Sequence, residues 1–195
     1  IITGAPVEKL DFEQVDYWQE LCTIMDYAKE NVFSTLYLCW GAFAGLYHLY
    51  GIPKYPSDKK IFGVFKNRRT TLNDPLLRGM DDEFPVPQSR HTLLSKEDIK
   101  SNQELIILAE SEESGVTLVK SKNNREVFMT GHLEYDTSTL ADEYLRDKSK
   151  NLPIDLPKNY FPDDNPNLAP QSYWRSTAHL LFSNWLNYYV YQETP

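Results

Sequence analysis

The segment Ser34-Thr35-Leu36-Tyr37-Leu38-Cys39-Trp40-Gly41-Ala42 constrains this chain more than any other stretch. An apolar, β-prone run stops at a cysteine, and small residues follow at once: Gly41, Ala42, Ala44 and Gly45. That pattern predicts a strand, a sharp turn and a helix, with Cys39 at the turn. A cysteine so placed stands where unpaired N–H groups and the positive end of a helix dipole favour a thiolate. The small residues let the backbone turn tightly and approach a substrate closely. Hydrolases present a serine on the same strand-turn-helix elbow. The bland alternative is a buried cysteine at the end of a core strand, and the local pattern alone leaves both readings open.

The bulk numbers narrow the field. A chain of 195 residues suits one domain, here 1–195, with a substantial core. A formal net charge of −8 argues against nucleic acid and anionic membrane surfaces as partners. No apolar run approaches the roughly 20 residues that span a bilayer. The start Ile1-Ile2-Thr3-Gly4 lacks the marks of a secretory signal and reads as the end of a strand, so further residues are expected upstream. Of the two cysteines, Cys22 falls on an apolar helical stripe with Val15, Trp18, Leu21 and Met25 and reads as core. With no disulfide framework, the expected compartment is the cytoplasm.

Along the chain, Asp11 with Gln14 predicts a capped helix start, with Leu10 and Val15 as a staple and a helix running to about Glu30. The Cys39 strand follows, then a helix to Tyr50, ended by Gly51-Ile52-Pro53. Ile61–Phe65 is a strand candidate, and 73–92, with Pro75, Pro85 and Pro87, reads as loop. Leu105–Ala109 and Val116–Lys120 flank a turn and predict a hairpin. Glu126–Thr130 is a further strand, 138–148 a helix, and the proline-rich 151–170 a connector. An aromatic helix over 172–191 reads as core or subunit interface. Early alternation of strand and helix predicts an α/β fold, mostly parallel, with antiparallel additions in the middle.

A nucleophilic cysteine needs a base, and the base an orienting group. Of four histidines, His48 reads as partly exposed on a helix, His91 as a loop residue and His179 as packed on the core. His132 differs: it follows a strand and Gly131, and Glu134 comes two residues later, on the same side if the chain stays extended. A carboxylate there can hold one imidazole nitrogen and leave the other for a thiol. Cys39, His132 and Glu134 are the best triad available, against the plainer reading of a structural His–Glu pair. Oxyanion donors are expected from Gly4 and Ala5, in a loop after a strand parallel to the Cys39 strand, and from the N–H of Trp40. No metal-ligand spacing, dinucleotide fingerprint or P-loop is present, so neither metal nor bound cofactor is expected.

These segments resemble the homoserine O-acyltransferase family of methionine biosynthesis, built on a class I glutamine-amidotransferase-like, flavodoxin-like three-layer fold. The resemblance rests on Thr-Gly-Ala-Pro at 3–6, Leu-Cys-Trp-Gly-Ala at 38–42, Tyr-His-Leu-Tyr-Gly at 47–51 and Lys-Ile-Phe-Gly-Val-Phe at 60–65. Ser-Arg-His-Thr at 89–92, Gly-His-Leu-Glu-Tyr-Asp at 131–136 and the Leu-Phe-Ser-Asn-Trp-Leu-Asn segment near the end extend it. It implies an acyl-thioester on Cys39, His132 as proton acceptor and Glu134 completing the triad. It further implies substrate contacts from Lys60, Ser89 and Arg146, L-homoserine and an acyl-CoA as substrates, and a homodimer. The position held by Glu8 is associated in this family with the acyl donor, glutamate with acetyl-CoA and glycine with succinyl-CoA. A carboxylate there would repel a succinyl tail, so acetyl-CoA is the expected co-substrate. Succinyl transfer is the near alternative; a cysteine amidohydrolase or an incompetent fragment are the distant ones. Family members carry a longer N-terminal region, and this chain resembles their C-terminal two-thirds.

Overall fold

The computed structural model describes residues 1–194. Its centre is a parallel pair of short strands, β1 (Thr35–Leu38) and β6 (Glu126–Met129), in the register Thr35↔Glu126 through Leu38↔Met129. Both are buried on both faces, as strands enclosed by two helical layers must be. Ile2 extends the parallel pairing on the far side of β1: its N–H donates to Leu36 O at 2.9 Å, and Leu38 N–H donates to Ile2 O at 2.8 Å. The expected strand end at Ile1-Ile2 therefore runs parallel to the Cys39 strand.

From β6 the sheet continues antiparallel through β5 (Gly115–Ser121), β4 (Leu105–Ser111), β2 (Lys54–Arg69) and β3 (Glu83–Leu94), in the order β1-β6-β5-β4-β2-β3. Alternating side chains feed two cores. Leu36, Leu38, Val127 and Met129 join one with Trp174, Leu181 and Trp185, beneath α4 (Thr139–Ser149) and α5 (Arg175–Trp185). Tyr37 and Phe128 join the other with Trp18, Met25, Trp40 and Phe43, beneath α1 (Trp18–Asn31) and α2 (Trp40–Tyr50). The result is the expected three-layer α/β architecture.

Several elements differ from the sequence reading. Among the described residues parallel pairing is limited to β1 with β6 and the isolated bridges Ile2↔Tyr37 and Gly63↔Lys158, so the sheet is mixed, with more antiparallel than parallel strand pairs. The stretch 73–92 is not a loop throughout: 83–94 forms β3 despite Pro85 and Pro87. β3 is an edge strand, so a proline whose nitrogen faces outward costs no ladder hydrogen bond. The Asp11 cap closes only a 3-10 turn, Phe12–Gln14; Val15 is extended and α1 begins at Trp18. Leu10 is 42% exposed, so the staple does not form. A short helix α3 (Lys96–Ser101), capped by Ser95, was not foreseen. The connector 151–170 is ordered: Lys158 bridges to Gly63, and Tyr160 and Phe161 are buried. His179 is exposed rather than packed on the core.

α2 lies unusually close to the sheet and to the N-terminal segment. A Cβ on Gly41 would stand 2.8 Å from the carbonyl oxygens of both Ile2 and Thr3. One on Gly45 would stand 2.8 Å from the rings of Phe128 and Tyr37. The small residues after Cys39 thus serve this approach as well as the turn. Gly41→Ala must push Ile2–Thr3 off the helix; urea unfolding should show a loss of about 1–3 kcal/mol.

Candidate active site

Cys39 is the residue between β1 and α2, at φ 49 and ψ −121. A non-glycine residue at positive φ is strained, and the site here holds it in place from both sides. Its N–H donates to Met129 O at 2.7 Å, and its carbonyl accepts from Ala42 N–H at 2.9 Å. This is the expected elbow. The Trp40 N–H is among the first amides of α2, which have no partner within the helix. Gly4 lies against the elbow: a Cβ there would be 3.1 Å from Cys39 Cβ, 3.5 Å from Cys39 Sγ and 3.6 Å from Trp40 N. Gly4 and the Trp40 N–H thus stand beside the sulfur, where oxyanion donors are needed.

Because β6 runs parallel to β1, the chain leaving it emerges beside Cys39. Gly131 passes tightly under β3, where a Cβ would stand 2.8 Å from Gln88 Nε2, and His132 N–H donates to Pro87 O at 2.9 Å. His132 is 7% exposed, and its Nδ1 meets Glu134 Oε1 at 2.7 Å. The chain is not extended between them; Leu133 and Glu134 form a turn closed by Tyr135 N–H on His132 O at 3.3 Å. The pair forms by a different local geometry from the one the sequence suggested. Burial disfavours the charged imidazole, but the neighbouring Cys39 side chain and the Glu134 carboxylate outweigh it and raise the His132 pKa. His132 thus stands in the neighbourhood of Cys39, with the Glu134 carboxylate fixed on its Nδ1.

Lys60, Ser89 and Arg146 also converge, on a carboxylate that the sequence reading gave no functional role. Glu143 of α4 accepts from Lys60 Nζ at 2.7 Å and from Ser89 Oγ at 2.9 Å, and lies 3.6 Å from Arg146 Nη2. Arg146 Nε also donates to Asp147 Oδ1 at 2.7 Å. The only signal for Glu143 was its spacing, three residues before Arg146 on one helix face. Tyr135 connects the two clusters. Its ring stacks on His132 at 4.0 Å, and burial, then negative charge at Cys39 and Glu143, pushes its hydroxyl well above the usual range. Glu8 accepts the His91 N–H at 2.8 Å on Oε2, and its carbonyl accepts from Lys54 Nζ at 2.6 Å. It is thereby tied to the rim of β3 beside Ser89. His48 pairs with Asp26 at 2.7 Å on the outside of α2 and takes no part. Among the described residues no His/Cys/Asp/Glu group is arranged to hold a metal ion.

With this geometry in place, comparison with known proteins is informative. The family model described as homoserine O-succinyltransferase matches residues 1–195. The chain belongs to this family. A protein named homoserine O-acetyltransferase from Petrotoga mobilis is 60% identical over 195 residues, 100% of this chain and 63% of that protein. One of the same name from Clostridium acetobutylicum is 59% identical, over 100% of this chain and 65% of that protein. The chain thus spans just under two thirds of the curated relatives it matches. Among solved structures, a glutamine amidotransferase from Methylobacillus flagellatus is similar with a TM-score of 0.66 at 13% identity, over 95% of this chain and 74% of that one. A glutamine amidotransferase from Thermotoga maritima is similar at the same TM-score and coverage with 14% identity. At such identities the likeness establishes the fold, and it is the amidotransferase-like fold expected.

Glu134 is one of the two groups that hold the His132 pKa up, so Glu134→Gln should move the imidazole NMR titration midpoint downward. An unmoved midpoint would show that the carboxylate only packs there. Since folding raises the His132 pKa from 6.5, the stabilisation from this proton is present below that value. It is lost as pH rises through the folded value, and urea unfolding of the parent protein should follow that sign.

Proposed function

We propose that the protein transfers an acetyl group from acetyl-CoA to the hydroxyl of L-homoserine through an acyl-cysteine, giving O-acetyl-L-homoserine for methionine biosynthesis. The observation that carries this reading is the Cys39 elbow beside a buried His132 whose Nδ1 is held by Glu134 at 2.7 Å. His132 takes the thiol proton, and Cys39 attacks the thioester carbonyl. The N–H groups of Gly4, Ala5 and Trp40 receive the oxyanion, and CoA leaves as its thiol. The homoserine hydroxyl then attacks the acetyl-cysteine while His132 accepts its proton, and the cysteine is released. Glu134 keeps the ring in one tautomer and supports the imidazolium.

The Lys60–Ser89–Glu143–Arg146 cluster supports an amino-acid acceptor. A zwitterion brings an ammonium and a carboxylate, and the cluster offers both signs with donors of defined direction. For the acyl group, Glu8 and the names of the relatives support acetyl. The family description supports succinyl as the second reading. Two free cysteines support a cytoplasmic setting. A row of exposed apolar side chains on and after α1, including Ile24, Tyr27 and Phe33, supports a homodimer.

In the full-length protein, Cys39→Ala should lower acetyl transfer by roughly a thousandfold or more and remove the acetyl adduct seen by intact mass. Retained turnover, or ammonia released from glutamine, would sink the mechanism. Rates with the two donors decide the acyl group. Glu8→Gly should shift preference toward succinyl-CoA, and a parent enzyme that already prefers succinyl-CoA would refute the role given to Glu8.

A further inference from the structure

Glu134 holds one corner of the His132 ring, its Nδ1, at 2.7 Å. One hydrogen bond fixes an atom and not a plane. The ring can still swing about that contact and change the direction of its other nitrogen, Nε2. A base that takes and returns a proton twice in each turnover needs a second restraint. Tyr135 supplies one. Its ring lies face to face with the imidazole, with centroids 4.0 Å apart and planes 13° apart. That is closer than the roughly 4.5–7 Å of most aromatic pairs.

Tyr135 is itself anchored from the far side. Its carbonyl accepts from the Trp174 indole N–H at 3.0 Å, and Trp174 is buried. Two residues on, the Thr137 carbonyl accepts from the Tyr160 hydroxyl, which in turn accepts the Ala141 N–H at 3.2 Å. Tyr160 and Trp174 both belong to the core beneath α4 and α5, and the Tyr135 ring packs against that core. The Tyr135 N–H closes the turn on His132 O. The ring is therefore a wall fixed to the core, against which the imidazole rests. The face of a phenol ring is negative, so it also attracts the imidazolium that forms when His132 takes a proton.

We propose that Tyr135 is a positioning residue for His132: its ring face fixes the imidazole plane, so that Nε2 keeps one direction for proton transfer, and it favours the imidazolium. The hydroxyl has no part in this role. The inference rests on the reading of His132 as the base, and on neither the acyl group nor the acceptor. The titratable groups acting on the imidazole are Cys39, from the elbow, and Glu134, from its own turn. Glu143 and Arg146 of α4 act on the Tyr135 hydroxyl. All four remain in the variants below.

The test uses the full-length protein and two readouts: steady-state acetyl transfer, and the His132 titration followed by imidazole NMR without substrates. Tyr135→Phe keeps the ring face, so kcat should stay within about twofold and the titration midpoint within about 0.2 units of the parent. Tyr135→Leu and Tyr135→Met are apolar without a ring face. In both, kcat should fall about tenfold or more while the two KM values stay within about threefold. Their His132 midpoints should fall by about half a unit. A folded Leu or Met protein in which kcat or the midpoint stays parent-like overturns the proposal. A loss in Tyr135→Phe as large as in Tyr135→Leu also overturns it, because the hydroxyl would then carry the effect. If neither the Leu nor the Met protein folds while the Phe protein is parent-like, Tyr135 only packs the core, and the proposal is again overturned. The titration needs no turnover. A parent without acetyl transfer refutes the proposed function, and the midpoints alone then decide the role of the stack.

Discussion

The parallel register of β1 and β6 is the constraint on which the site depends. Leu38 opposes Met129, so both strands end at the same level and leave the sheet in the same direction. One residue later on β1 is Cys39, and three residues later on β6 is His132. The Cys39 N–H on Met129 O fixes the two exits to each other. A one-residue slip would move every side chain of one strand to the opposite core. Were β1 the slipped strand, Tyr37, stacked on Phe128 at 4.8 Å, would trade places with the aliphatic Leu36 on the other face. Packing of the two cores therefore sets the register, and the register delivers sulfur and imidazole to one place.

Around this fixed pair, charge is arranged in shells of opposite character. Glu134, at the solvent boundary, holds the imidazole from outside, where water softens the cost of its charge. Lys60 and Glu143 form a largely shielded ion pair, with the more exposed Arg146 at its edge.

The sequence made the elbow legible because its ingredients are local: an apolar run, a cysteine, and glycine and alanine within six residues. The His132–Glu134 pair was legible as an association but not in its geometry, since a turn and an extended strand can both bring residues two apart together. The 83–94 strand was hidden because its prolines argue against a ladder, and only the strand's place at the sheet edge removes the objection. Glu143 was hidden for another reason. Its partners Lys60 and Ser89 lie far away in sequence, and no local pattern marks a carboxylate that two distant donors will share. The C-terminal helix was expected as one element, yet it loosens at Leu186 into a π-helical turn that ends at Tyr191. Tyr189 there meets Asp74 at 2.8 Å, and Asp74 forms a buried pair with Lys120 at 2.6 Å. That contact spans more than a hundred positions.

An edge strand normally offers a row of unused main-chain groups to other copies of a protein. β3 does not, because its outer rim is already spent on the site. Pro85 and Pro87 have no N–H to offer, Pro87 gives its carbonyl to His132, and His91 gives its N–H to Glu8. A foreign strand joining this rim would have to evict the backbone of His132 and the carboxylate of Glu8. The same hydrogen bonds that assemble the reacting groups therefore guard the sheet against edge-to-edge aggregation.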